Sequence, residues 1–218
     1  MKTFKFDSKI EERGKFFCDF DKKQIADEPM FYRANAAFAY ENGGIITKAF
    51  LENLPEDWRN CDVTIDSRSH MLMPGWYPCI PGFHHDDVPR TRIDGQPNYE
   101  NPGEAEHLMG LVNGHICPTE FAVGQVELEE VPIGQLVYRQ WHKDVERAIS
   151  DGVLFSETAK SGRYIQFDNF SFHQGVGAVR SGWRWFIRVS RKTDRAKDCK
   201  NEIRKQTQVY MKDPMQGW

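Results

Sequence analysis

Two overlapping His-x-Asp pairs stand in Pro81-Gly82-Phe83-His84-His85-Asp86-Asp87, and one further histidine, His173, follows far downstream. Residues two apart on a strand point to the same face, so His84 with Asp86, or His85 with Asp87, can reach one ion together. The two pairs lie on opposite faces, and the spacing alone leaves both open. With His173 either pair makes a triangle of two imidazoles and one carboxylate, a set that suits iron(II) with vacant coordination positions. A structural zinc site would close all four positions, usually with thiolates. The chain carries no such cluster: Cys18, Cys61, Cys79, Cys117 and Cys199 are widely spaced.

Beyond His173 comes Trp183-Arg184-Trp185-Phe186-Ile187-Arg188-Val189-Ser190. Read as a strand, it places Trp183, Trp185, Ile187 and Val189 on one apolar face. Arg184, Phe186, Arg188 and Ser190 share the other. Guanidinium groups projecting beside an aromatic ring are costly unless they meet anions. The planar fork of arginine fits a carboxylate better than lysine does. His70, His107, His115 and His142 have no ligand spacing and read as structural or surface histidines. Asp168-Asn169 reads as a turn, with Gln174 beside His173 a candidate for orienting it. Trp76 and Tyr77 read as core packing.

The elements that must hold these groups are short and mostly β. Asp62–Asp66, Glu120–Glu129, Gly134–His142, Arg163–Asp168 and Trp183–Ser190 are the strand candidates. Gly44–Leu54 reads as an amphipathic helix with Ile46, Phe50 and Leu54 on one face, ended by Pro55. Pro89–Gly110 is rich in turn residues, and so long a loop suggests a lid over a site. Strands punctuated by proline and glycine point to an antiparallel sandwich or barrel. The expected organisation is a single domain: a helical N-terminal layer over 1–60, a β core over 62–191 and a C-terminal extension over 192–218.

The 218 residues are 39% hydrophobic and 13% aromatic, enough for a real core. A net charge of -3 predicts no global attraction to nucleic acid or anionic membrane. Arginines and lysines do crowd into 180–205, where a local basic face and a helix-like Arg195–Lys205 stretch are expected. An odd number of scattered cysteines argues for a reducing cytoplasm. No run of eighteen apolar residues occurs, so no membrane span is expected, and no obligate protein partner is evident.

The set His84-x-Asp86, His173 and Arg184 resembles the iron(II)/2-oxoglutarate-dependent dioxygenases, over about residues 62–191. Their pattern is His-x-Asp/Glu, a distal His, then Arg or Lys about ten residues on. Phe83 before His84 is similar to the phytanoyl-hydroxylase-like branch and favours the first pair. The resemblance implies a double-stranded β-helix, a jelly-roll or cupin-like barrel with flanking helices. It implies Fe(II) held by His84, Asp86 and His173, with 2-oxoglutarate as co-substrate gripped by Arg184. Arg188 would support the co-substrate or an acidic substrate group, and its Arg-x-Ser spacing departs from any one branch. The implied reaction consumes dioxygen, releases succinate and carbon dioxide, and hydroxylates a small-molecule or nucleotide-like substrate. The alternatives are a cupin-like barrel that binds a ligand without oxidising it, and a nucleic-acid adaptor using the basic C-terminal segment.

Overall fold

Alternating sequence becomes antiparallel sheet over much of the chain. In the computed structural model, which describes residues 2–211, β1 (Thr3–Ser8) and β2 (Ile10–Lys15) come first. Then follow α1 (Lys22–Asp27), β3 (Met30–Tyr32), α2 (Ala36–Asn42) and α3 (Ile45–Glu52). Next are β4 (Thr64–Leu72), β5 (Trp76–Tyr77), β6 (Glu106–Val112), β7 (Thr119–Glu129) and α4 (Val137–Ser150). The remainder comprises β8 (Phe155–Thr158), β9 (Arg163–Asp168), β10 (Phe172–Gly175), β11 (Gly182–Arg191), α5 (Asp194–Lys197), β12 (Glu202–Arg204) and β13 (Tyr210–Met211).

One sheet has the order β2-β9-β6-β11-β4, with every pairing antiparallel. In the other, β1, β8 and β10 all pair antiparallel with β7. Two small pairs, β3 with β12 and β5 with β13, tie the C-terminal segment to the body. The molecule is mainly β with few helices, compatible with a β-sandwich or jelly roll.

The alternation of β11 decides where the core lies. Trp185, Ile187 and Val189 are buried in a cluster with Ile25, Phe31, Ile46 and Phe50, so α1 and α3 cover that face. Its opposite face looks into the space between the sheets, where Met109, Leu111, Phe121, Ile165 and Phe167 pack together. The outer face of the second sheet is closed by α4, through Trp141 and Val145 against Ala122, Val126 and Phe172.

Several expectations needed correction. Gly134–His142 is not a strand, because α4 starts at Val137. Its buried residues Val137, Tyr138, Trp141 and Val145 recur at helical spacing, which only a window running past His142 reveals. The N-terminal layer is helical only in part: Phe4 and Phe6 alternate along β1, and β2 adds an edge strand to the first sheet. The strand expected at Asp62–Asp66 begins at Thr64 and runs on to Leu72. Its buried serines hid it. Ser67 Oγ accepts from the Phe31 N–H at 2.9 Å, and Ser69 Oγ donates to the Ile25 carbonyl. The stretch Arg195–Lys205 holds only the short α5 and then β12.

The Pro89–Gly110 segment ends sooner than expected, since β6 begins at Glu106. It is packed down and does not stand free: Gln96 Oε1 accepts from the Val137 N–H at 3.1 Å, and Asn169 Nδ2 donates to the Pro102 carbonyl at 2.8 Å. The last seven residues of the expected C-terminal extension lie outside the described residues. Among the described residues no helix is long and apolar enough to cross a membrane.

Candidate metal centre

Gly82, at φ +116, turns the chain into a short extended stretch that lies antiparallel to β10. His84 and His173 exchange backbone hydrogen bonds there, at 3.0 and 3.1 Å. This pairing is what sets two imidazoles side by side, their ring centroids 4.5 Å apart. Asp86, on the same face as His84, places Oδ2 3.1 Å from His173 Nε2 and Oδ1 3.8 Å from His84 Nε2. One ligand atom from each of the three side chains lies within 4.8 Å of the others.

Both rings are locked from behind. His84 Nδ1 donates to the Gly82 carbonyl at 3.0 Å, and His173 Nδ1 donates to the Ser171 carbonyl at 2.9 Å. That fixes the tautomer and turns Nε2 of each ring toward the Asp86 carboxylate. Burial, with His173 and Arg188 beside it, pushes His84 down to about 3, so its ring is neutral. Burial works to raise Asp86, but the Arg188 guanidinium outweighs it and, with His173, holds the carboxyl well below its usual range. Neutral imidazole and ionised carboxylate are the forms a metal ion needs.

The competing pair is split apart. His85 is buried among rings, 3.8 Å from the Phe172 centroid, and its Nδ1 meets the Tyr99 hydroxyl at 2.7 Å. Asp87, at φ +55, turns away to accept from Arg195 at 2.8 Å. No shared cation can reach both.

The two arginines of β11 do face the same cavity, of about 1020 Å³, that His84, Asp86 and His173 line. Their surroundings differ. Arg188 bonds Asp86 and, at 3.3 Å, Asp66, so carboxylates already flank it. Arg184 is 2% exposed, and among the described residues its guanidinium donates one hydrogen bond, from Nη2 to Thr119 Oγ1 at 3.0 Å. Its Nε has no partner, and among the described residues no carboxylate forms an ion pair with it. Burial pulls its pKa below the ordinary value. A buried, uncompensated guanidinium is a strong claim on an anion.

Sequence reasoning missed several of the residues that shape this site. Asp66 and Arg195 form an ion-pair chain with Arg188 and Asp87. Alternation along Asp66, Arg68 and His70 is the signal that puts them on the inner face beside Arg188, Phe186 and Arg184, their cross-strand partners. His142, read as structural, accepts from the Phe83 N–H at 3.2 Å through Nδ1 and so anchors the stretch before His84. Asp168 is the turn residue expected, its Oδ1 accepting from Phe170 N–H and Ser171 Oγ, both at 2.9 Å. Gln174 donates to Glu120 Oε2 at 2.8 Å. Trp76 packs in a satellite cluster with Leu72 and Ile116.

No protein-family model matches the chain, and no curated protein does. Among solved structures it is similar to HygX from Streptomyces hygroscopicus, solved with iron bound. The two share 10% identity over 86% of this chain and 83% of that one, with a TM-score of 0.38. A likeness so slight carries neither a fold assignment nor a reaction.

Proposed function

We propose that this chain is an iron(II)- and 2-oxoglutarate-dependent oxygenase on a jelly-roll barrel. The observation that carries the reading is the convergence of His84, Asp86 and His173, each imidazole locked with Nε2 forward, in a cavity that also holds the unpaired Arg184. Two imidazoles and a carboxylate leave one side of a cation open, as this class of oxygenase requires. Strand order supports the barrel: β4, β6, β9 and β11 share one sheet, while β7, β8, β10 and the stretch at His84 belong to the other.

When bound, the iron and 2-oxoglutarate supply the oxidising chemistry: dioxygen is consumed, succinate and carbon dioxide leave, and one oxygen atom goes to the substrate. The chain's own work is placement. His84, Asp86 and His173 would hold the iron, and the Gly82 and Ser171 carbonyls keep the rings aimed. Arg184, braced by Thr119, would bind the distal carboxylate of 2-oxoglutarate. Arg188, flanked by Asp86 and Asp66, orients the ligand carboxylate and leaves the co-substrate to Arg184. This divides the labour of the two arginines. The buried aromatic layer of Phe121 and Phe167, whose centroids lie 5.6 and 5.0 Å from His173, keeps water from the back of that ring.

The test is succinate release from 2-oxoglutarate with added iron(II), in wild type and in Arg184→Gln. The expected result is turnover in wild type, uncoupled or with substrate, and a KM for 2-oxoglutarate raised about tenfold or more in the variant. One observation favours a second reading, a ligand-binding barrel without oxidation: the Arg188 guanidinium already balances the Asp86 charge. Silence in the succinate assay, with binding of small anions that survives chelation, would select that reading.

A further inference from the structure

The cavity is far more basic than a single dicarboxylate needs. Its two lining carboxylates, Asp66 and Asp86, are taken up by Arg188 and Arg195, and Arg33 pairs with Asp198 at 3.2 Å. Four lining guanidiniums remain: Arg184, Arg68, Arg204 and the exposed rim residue Arg90. Among the described residues none of these four has a carboxylate ion-pair partner.

Arg68 and Arg204 form a group separate from Arg184. Arg68 is on β4 opposite Phe186, with Asp66 and His70 as its neighbours on that face. Its Nη1 is held by the Phe31 and Ser67 carbonyls, at 2.9 and 2.6 Å, which fixes the guanidinium. Arg204 ends β12, opposite Met30, and stacks on the Tyr32 ring with its guanidinium carbon 4.0 Å from the centroid. The β3–β12 pair therefore carries Arg204 to the wall where Arg68 is already fixed. Burial, and then the Arg204 charge, push the Arg68 guanidinium below its ordinary pKa, as expected of like charges held together. Thr207 and Gln208 continue this wall, tied to His70 Nε2 at 2.7 and 3.1 Å.

Resting on the oxygenase reading, we propose that the substrate is a small phosphate-bearing molecule, its phosphate gripped between Arg68 and Arg204. Two guanidiniums lining one cavity wall suit a phosphate, which offers three terminal oxygens, better than a carboxylate, which offers two. Arg184, on the next strand, stays with the co-substrate. The cavity stands at the upper end of the range of about 300–1,000 Å³ for small-molecule pockets, with room for both.

The experiment titrates the full chain with inorganic phosphate and methyl phosphate at constant ionic strength in chloride, by calorimetry, with and without manganese(II) and 2-oxoglutarate. Phosphate is expected to bind in both conditions. Arg204→Gln is expected to weaken it about tenfold or more while 2-oxoglutarate affinity holds, and Arg184→Gln to do the reverse. Arg204 is half-exposed at the end of a short strand, so its loss leaves the folded core intact; Arg204→Lys should recover part of the affinity. No phosphate binding, or binding indifferent to Arg204→Gln, overturns the proposal. So does full competition between phosphate and 2-oxoglutarate, which would mean one anion site. Arg204-dependent phosphate binding without any 2-oxoglutarate binding would instead leave this site standing and remove the oxygenase.

Discussion

A carbonyl behind each imidazole decides which nitrogen faces the cavity, and that is a backbone property with no side-chain signature. The Gly82 and Ser171 carbonyls do this for His84 and His173. Spacing alone could show which residue types were present but not which of two overlapping His-x-Asp pairs was aimed inward; only the resemblance through Phe83 favoured the first. Asp87 at φ +55 explains why: the short extended stretch at His84 bends away there, so the even alternation that made both pairs equivalent stops. The expected consequence is a clean split. His84→Ala should lower manganese(II) or iron(II) affinity by far more than the 10- to 100-fold typical of an outer partner. His85→Gln should keep the metal and lower stability, because it breaks the contact with Phe172 and the bond to Tyr99. Equilibrium dialysis with metal analysis separates the two. Acid sensitivity follows from other histidines. Burial, then Arg184, pushes His70 down to about 3; burial, then Arg188, pushes His107 down to about 4. Both folded values lie below the unfolded value of about 6.5. The unfolded chain therefore binds protons that the folded chain refuses between about pH 4 and 6.5, and stability falls as pH drops through that window. Denaturant midpoints measured across it should show that slope, and His107→Asn should reduce it by about one proton.

At the scale of elements, what was legible was whatever had one dry face and one wet one. β11 was readable because tryptophan and aliphatic side chains alternate with arginines, and its two faces meet the helical layer and the cavity as the alternation requires. β9 was readable for the same reason. β4 was cut short because its outward side chains are serines, whose burial depends on partners far away in sequence. α4 was misread because a short window cannot tell period two from period 3.6. α3 shows a different kind of silence. Its N-cap is Gly44, which has no side chain to offer, and the cap comes instead from Glu28. The Glu28 carboxylate accepts from the N–H groups of Gly44, Ile46 and Thr47, at 3.0, 3.1 and 2.9 Å. Glu28 is 5% exposed, so its removal leaves those donors dry. Glu28→Ala should cost about 2–3 kcal/mol in urea unfolding, above the usual capping loss, and Glu28→Gln should cost less. α3 backs the apolar face of β11, so the same variant should also loosen Arg184 and Arg188 on the other face.

Across the whole molecule, the site is where the two sheets are joined by charge. His173 lies on β10, and His84 bridges to it with Asp86 two residues on; Arg188 and Asp66 belong to the sheet of β4 and β11. The Arg188–Asp86 pair bridges them, buried and partly shielded from salt, and it draws Asp86 toward one sheet while His173 holds it to the other. On the proposed reading, a cation bound to these three side chains would add a favourable term that only the folded chain can collect, since they come together through the pairing of His84 with β10. Ligand linkage then fixes the size of the effect: at a hundredfold excess over its dissociation constant, a ligand stabilises by about 2.7 kcal/mol. For a chain of this length that is a rise in Tm of about 5–10 °C. Chelator-treated protein given manganese(II) should show this rise, and 2-oxoglutarate added afterwards should extend it. His173→Ala should abolish the first step. Arg184→Gln should keep the first and lose the second, because it leaves the triad whole and removes the anion's anchor. A wild-type melting curve that ignores both additions would mean that the sheets are closed by Arg188 alone, with no metal centre between them.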